Sequence, residues 1–465
     1  MESQPTIKLA LGGSDLLIFP PAGSTPEDLM AHLQAAGWAG RSVLDRRRGC
    51  LRVLPLDYPA VGSILTRHYA LDERFDPRPP LSRPVQVRQQ ARPYQRQALE
   101  AWQAAGHRGV VVLPTGAGKT LVALMALASL NTTTLVCVPT LDLLGQWRTA
   151  LLAHTDLQED EVGVWGGGDR DLRPVTVITY DSAAIHTYIL RQFGLLVFDE
   201  VHHLPADTYR TIAEGAIATA RLGLSATPER ADLRHTDLDR LVGPVVYDRS
   251  PAQLREERHI ADYRTERIAV QLTDEERTAY EHATGVYRAY LRRHRISLRS
   301  GTDYERYLIL RSGSDPAARE ALLAHQTARR LALNASRKLD VVASLLATHR
   351  QDRVLIFSEY NSLVEEVGRQ LCVPTITHKT PPAERKAILE GFRAGRFTKL
   401  ATGRVLNEGV DLPDAGVAII LSGSATRREY IQRLGRVLRP KAAQAVLYEV
   451  VTERTTEESI ARRRQ

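Results

Sequence analysis

Two short segments carry residue types that can handle a phosphate chain. The first reads Leu113-Pro114-Thr115-Gly116-Ala117-Gly118-Lys119-Thr120. Gly116 and Gly118 let backbone N–H groups close on phosphate oxygens with no Cβ in the way. Thr115 and Ala117 complete the wrap, Lys119 can reach the β- and γ-phosphates, and the Thr120 hydroxyl can ligate Mg²⁺. The strict pattern has a glycine where Leu113 stands, so the match departs from it at that one position. The second segment is Asp199-Glu200-Val201-His202-His203. Asp199 is placed to hold Mg²⁺ and Glu200 to orient the attacking water, because phosphoryl transfer is mainly positioning and charge neutralisation. Adjacent histidines rarely share one metal ion, and no cysteine or acid recurs at zinc spacing. His202 therefore reads as a polar link from the phosphate site to the elements after it.

A third segment, Gln432-Arg433-Leu434-Gly435-Arg436-Val437-Leu438-Arg439, sets Arg436 and Arg439 on one face of a helix. Such a pair could reach a γ-phosphate; by composition alone, a solvated basic helix fits equally. Upstream, Gly409 and Asp411 supply a turn and a carboxylate.

The elements that must hold these groups are legible as alternating patterns. Residues 110–113 form a buried-strand signal running into the glycine loop, with a helical stretch at 121–130 behind it, which is the context a phosphate loop requires. Residues 195–198 form a second such strand ending on Asp199, and a carboxylate at the carboxyl end of a parallel strand faces the crevice where ligands bind. Further apolar, β-branched runs at 134–138, 175–179 and 222–224, each beside a turn or helix, predict a mostly parallel sheet covered on both faces. Before them, residues 7–11, 16–19 and 51–53 read as strands, 26–36 as a helix, and the Pro- and Arg-rich 75–84 as a linker. Past residue 250 charged helical patterns dominate, with amphipathic helices expected over 272–293 and 316–333. A second alternating block comes next, with strands at 354–357, 399–401, 417–421 and 445–451.

Bulk composition agrees with this picture. The chain has 465 residues, 43% hydrophobic and 25% charged, the proportions of a multidomain globular protein. No apolar run approaches the ~18 residues that would cross a membrane, and the first ten residues lack a secretory pattern. Cys50, Cys137 and Cys372 are odd in number and far apart, the signature of reduced thiols in a cytosol. A formal net charge of +8, mostly from arginine, favours a polyanionic partner.

Together the motifs resemble superfamily 2 helicases over roughly residues 90–440. Arg92-Pro93-Tyr94-Gln95 looks like the adenine-reading motif, with Gln95 as the base contact. Pro139-Thr140-Leu141 and Thr179-Tyr180 look like strand-contacting motifs, and Ser225-Ala226-Thr227 like the motif that couples ATP to nucleic acid, as do His202 and Gln432. A closer resemblance is to the XPB family of DNA-repair and transcription helicases, in its shorter prokaryotic form. It is carried by Asp199-Glu200-Val201-His202-His203-Leu204-Pro205-Ala206, by Asn407-Glu408-Gly409-Val410-Asp411-Leu412-Pro413, and by Arg428-Glu429-Tyr430-Ile431-Gln432-Arg433-Leu434-Gly435-Arg436.

The resemblance implies an α/β fold with two RecA-like parallel-sheet lobes, a small N-terminal α+β domain and a helical thumb insert. The expected boundaries are 1–82 for a damage-recognition-like domain, 83–250 and 333–465 for the lobes, and 251–332 for the thumb. It implies ATP and Mg²⁺, movement 3′ to 5′ on DNA, a cytoplasmic prokaryotic setting, and a nuclease partner for a chain taken as monomeric. In the thumb, Tyr287, Tyr290, Arg292, Arg293, Arg295 and Arg299 interleave aromatic and basic groups, a composition suited to phosphates and an exposed base; a solvated helix pair fits about as well. The family's Arg-Glu-Asp strand-opening motif reads Arg230-Ala231-Asp232 here, without its middle acid. Strand separation is therefore expected to be weak. An RNA helicase or a restriction-type translocase could use the same engine.

Overall fold

The computed structural model describes residues 4–114, 116–226, 237–250, 253–254, 263–297, 301–403, 415–422 and 445–463. The chain divides into two compact units, Met1–Gln253 and Leu254–Gln465.

The first unit opens with a five-stranded sheet made of β1 (Thr6–Gly12), β2 (Asp15–Phe19), β3 (Ser42–Asp45), β4 (Cys50–Val53) and β5 (Ala70–Glu73), in the order β3-β4-β2-β1-β5. Its pairs are antiparallel except β1 with β5. Alternation along β1 buries Ile7 and Leu9 against helix Pro26–Ala35, whose N-cap Thr25 exchanges hydrogen bonds with Asp28 in a capping box. This sheet interlocks with the second sheet of the same unit. Leu56, on the 3₁₀ turn Pro55–Asp57, is buried in the core of that second sheet, and Ile217 from the far side is buried in the core of the first. Asp57 pairs with Arg240 at 3.7 Å, and Arg78 donates to Thr219 Oγ1 at 2.6 Å.

The second sheet has eight strands: β6 (Arg108–Val112), β7 (Thr134–Val138), β8 (Val162–Gly166), β9 (Asp169–Arg170), β10 (Val175–Thr179), β11 (Leu195–Asp199), β12 (Ala220–Ser225) and β13 (Val245–Asp248). Their order is β13-β6-β12-β11-β7-β10-β8-β9, parallel throughout except for the β8–β9 hairpin. β7, β10 and β11 are buried along their whole length, as continuous apolar runs demand in a sheet covered on both faces. The order reverses between β6 and β7, which leaves a crevice at the carboxyl ends of β6, β12 and β11.

The second unit is built on a six-stranded sheet, parallel throughout: β14 (Tyr263–Val270), β15 (Val354–Phe357), β16 (Thr375–Ile376), β17 (Lys399–Thr402), β18 (Val417–Ile420) and β19 (Ala445–Thr452), in the order β14-β19-β18-β15-β17-β16. β14 lies inside the range expected to be all helical insert, yet pairs with β19 along its full length. Its alternation Tyr-Arg-Thr-Glu-Arg-Ile-Ala-Val is too polar to give a buried-strand signal, as suits the edge of a sheet. The amphipathic helices are Asp274–Arg293, capped by Thr273 with Glu276, and Pro316–Leu333, capped by Asp315. Inside this unit Lys338 and Glu457 are both fully buried. The Lys338 ammonium donates to both Glu457 oxygens, at 2.9 and 2.8 Å, and to the carbonyls of Leu333 and Leu421.

Among the described residues no helix is long and apolar enough to cross a membrane.

Candidate functional site

β6 ends at Val112, and helix Lys119–Leu130 begins after a turn made possible by Gly116 at φ +82° and Gly118 at φ +76°. A side chain at Gly118 would be strained twice, since its Cβ would also lie 2.4 Å from Gln95 Nε2. The first N–H groups of the helix have no intrahelical acceptor, so the turn presents donors and the positive end of a helix dipole at one place. Lys119 folds back over the turn, donating to the Leu113 carbonyl at 3.2 Å. Thr120 stands in the first turn of the helix.

Gln95 is buried beneath this turn. Its Nε2 donates to the Ala117 carbonyl at 2.9 Å and its Oε1 accepts from the Arg92 N–H at 2.9 Å. Tyr94 donates to the same Ala117 carbonyl at 2.8 Å. The side chain expected to meet a base thus grips the glycine loop.

Two strands away, β11 delivers Asp199. Trp147, on helix Leu141–His154, donates its indole N–H to Asp199 Oδ2 at 2.7 Å, and the Glu200 N–H donates to Oδ1 at 3.0 Å. Burial pushes the Asp199 carboxyl above the ordinary carboxylate range; the Trp147 bond and then the nearby Lys119 charge pull it back. The backbone carbonyl of Asp199 accepts from the Tyr180 hydroxyl at 3.0 Å. Glu200 comes next at φ +48°, ψ +54°, a left-handed conformation uncommon outside glycine and found where surrounding structure enforces it. Its carboxylate lies 3.5 Å from His202 Nδ1, and the same nitrogen lies 3.4 Å from Ser225 Oγ. β12 ends at Ser225, whose carbonyl accepts the Leu113 N–H at 3.0 Å. A chain of contacts therefore runs from Glu200 through His202 to Ser225 and back to the root of the glycine loop.

The arrangement brings a lysine, a buried carboxylate and a strained glutamate to the carboxyl ends of neighbouring strands, which suits triphosphate binding and hydrolysis. Trp147 was not singled out from sequence as an anchor of Asp199; its only sequence signal is that a buried indole must find an acceptor. Thr140 and Thr179 of the expected strand-contacting motifs serve as N-caps, accepting from the N–H groups of Leu143 and Ser182 at 3.3 Å each. Thr115, Thr227, Arg230, Asp232, Arg299, Gly409, Asp411, Gln432, Arg436 and Arg439 lie outside the described residues. Arg292 and Arg293 are exposed in the last turn of their helix. The tyrosines expected beside them for base stacking are placed otherwise: Tyr290 is buried, and Tyr287 packs on the His325 ring at 4.6 Å.

Residues 88–230 match the family model described as type III restriction enzyme, res subunit, and residues 319–465 the one described as ERCC3/RAD25/XPB C-terminal helicase. The chain is 38% identical over 375 residues to "DNA 3'-5' translocase XPB2" of Sulfurisphaera tokodaii, covering 80% of this chain and 84% of the relative. It is 35% identical to "DNA 3'-5' helicase XPB" of Mycobacterium tuberculosis, covering 81% of this chain and 63% of that one. Among solved structures, the Hef helicase domain of Pyrococcus furiosus matches with a TM-score of 0.55 at 18% identity, over 81% of this chain and 98% of that one, a likeness of fold. With this extent of shared sequence behind the geometry, the chain belongs to the XPB family of DNA helicases.

Proposed function

We propose that the chain is an ATP-driven motor that moves 3′ to 5′ on DNA and serves DNA repair of the nucleotide-excision type. The observation that carries this is the convergence of the Lys119 turn, Ser225 and the Asp199–Glu200 pair on neighbouring strand ends, linked by the Leu113–Ser225 and His202–Ser225 contacts. The names of the relatives, which specify DNA and 3′–5′ polarity, support the substrate and direction.

In this reading residues 116–120 wrap the triphosphate and Lys119 neutralises its β- and γ-oxygens. Thr120 and Asp199 would hold Mg²⁺, which neutralises phosphate charge when bound. The donor set suits a hard cation: a hydroxyl, and a buried carboxylate already aimed by two N–H donors. Glu200 orients and deprotonates the attacking water, and His202 and Ser225 relay the state of the site. Arg92 and Gln95 set the shape of the loop at the adenine end. Arg436 and Arg439, with Gly409, Asp411 and Gln432, serve the γ-phosphate from the second lobe, and closure of the lobes on ATP drives the step along DNA. Arg230, Asp232, Arg292, Arg293 and Arg299 contact nucleic acid.

The proposed divisions are a DNA-recognition domain at 1–82, lobes at 83–250 and 333–465, and a thumb at 251–332. Strand β14 argues that the first residues of that last range belong to the second lobe's sheet. A monomer in a prokaryotic cytoplasm, working with a separate nuclease, completes the proposal.

The test is ATPase rate with single-stranded, duplex and forked DNA and with RNA. Stimulation by DNA over RNA is expected, with turnover abolished and DNA binding retained in Lys119→Ala and Glu200→Gln. Equal stimulation by RNA would overturn the DNA assignment, and turnover in Glu200→Gln would remove the assigned base. The match of residues 88–230 to a restriction-enzyme family gives a second reading, duplex translocation without strand separation; it predicts full stimulation by duplex, no further gain from a fork, and no unwinding of the strands.

A further inference from the structure

The peptide unit between Asp199 and Glu200 joins the two acidic side chains of the site, and it is held at both ends. A peptide unit is planar and turns as one piece. Its N–H donates to Asp199 Oδ1 at 3.0 Å, and its carbonyl accepts from the Tyr180 hydroxyl at 3.0 Å. The Glu200 that follows is left-handed, at φ +48° and ψ +54°. In a residue with a side chain, that conformation persists where neighbouring structure over-determines it. Turning the Asp199–Glu200 peptide over would carry Glu200 back to negative φ, and it would break the Tyr180 bond.

Tyr180 is well fixed to hold that carbonyl. It opens the short helix Tyr180–Ile185, whose first turn is capped by Thr179. Its ring is buried, with Phe198, His203 and Tyr209 at centroid distances of 6.4, 6.1 and 5.3 Å. Two of these partners bracket the acidic pair: Phe198 precedes it, and His203 closes the 3₁₀ turn Val201–His203 behind it. Burial pushes the Tyr180 hydroxyl well above its usual range, so it stays protonated and remains a donor. β10, which leads into Tyr180, and β11, which ends on Asp199, are separated in the sheet by β7. The bond therefore ties two strand ends that share no ladder.

A general base acts by geometry first and by pKa second. The direction of the Glu200 side chain is set by the backbone it leaves, and that backbone by the preceding peptide. We infer that Tyr180 is a positioning residue for ATP hydrolysis, its hydroxyl holding the Asp199–Glu200 peptide in the orientation that aims Glu200 at the attacking water. The inference rests on the ATP-motor reading. It gives Tyr180, expected from sequence in a strand-contacting motif, a place behind the catalytic acid.

The test is Tyr180→Phe in the full chain, which keeps the ring and removes the donor. Tyr209→Phe is the control, since that hydroxyl belongs to the same ring cluster but donates to Asp181, at 2.7 Å. In steady-state ATPase, kcat of Tyr180→Phe should fall by about 10–100-fold, the scale of an ångström-sized misplacement. Its KM for ATP and its DNA affinity should stay within about twofold of wild type, which also shows that the variant is folded. Tyr209→Phe should keep the wild-type kcat. An unchanged kcat in Tyr180→Phe overturns the inference. So does a loss carried by KM alone, or an equal fall in Tyr209→Phe, because each marks a loosened core rather than a misaimed base. A wild-type chain without ATPase would remove the motor reading itself, and it is read out before either variant is made.

Discussion

The indole N–H of Trp147 donates to Oδ2 of Asp199 at 2.7 Å, joining a helix to a strand end 52 positions away. Asp199 is buried, so this bond does much to keep the carboxylate both charged and aimed. Trp147→Phe keeps an aromatic ring and removes the donor. Losing an oriented outer partner of a ligating carboxylate typically costs about 10–100-fold in metal affinity or activity. We expect kcat to fall on that scale, beyond the modest loss of melting temperature that a smaller ring brings at a buried site, measured in steady-state ATPase over a Mg²⁺ titration.

Gln95 holds the glycine loop by donating to the Ala117 carbonyl. Gln95→Glu sets acceptor against acceptor there and leaves a buried carbonyl without that donor, a loss of about 1–3 kcal/mol. The KM for ATP should rise about tenfold. A KM unchanged within error would mean that the loop does not depend on this grip.

Lys338 and Glu457 are a fully buried pair, and burial pushes the Glu457 carboxyl up even against the Lys338 charge. Lys338→Met strands the carboxylate and should cost about 3–5 kcal/mol in urea unfolding of the second unit. Lys338→Met combined with Glu457→Leu should recover most of that loss, since matched apolar groups can replace a buried ion pair at little cost. Additive losses in the double variant would show that the two side chains act separately.

His325 sits against the Tyr287 ring and 3.1 Å from the Tyr304 hydroxyl; burial first, then the charge of Arg329, lowers its pKa from the ordinary value. The unfolded segment therefore takes up a proton at a higher pH than the folded one. Stability is complete above the ordinary histidine pKa of about 6.5 and falls as pH drops from there towards the lowered folded value. Hydrogen exchange of the helical segment should accelerate between neutral pH and mild acid, and His325→Gln should flatten that dependence.

Legibility in the sequence was set by the signals a chain can carry locally. The strands at 134–138, 175–179 and 354–357 were readable to the residue, because a strand buried on both faces is a run of apolar and β-branched residues without charge. The order loop–Lys119, then Asp199–Glu200, was readable because glycine spacing and strand-end carboxylates are local. The edge strand β14 was not, since half its residues are charged or polar. Nor was the grip of Gln95 on Ala117, or the anchoring of Asp199 by Trp147, since both depend on contacts between segments far apart in the chain. Tyr287 and Tyr290 misled for a related reason. Interleaving with arginine is the pattern of a stacking platform and also of a helix with one buried stripe; only the partner helix decides between them.

Leu56 and Ile217 each complete the other's hydrophobic core. A joint needs a surface that can part without exposing oil to water, and this one has none. The amino-terminal sheet must then ride with the ATP-binding half as a single rigid piece, and a force or a bound ligand on that sheet would be felt at the nucleotide without passing through a hinge. Deleting the first 82 residues would tear Leu56 out of its socket, so a shortened chain would report on damage to the ATP-binding half rather than on the loss of a reader.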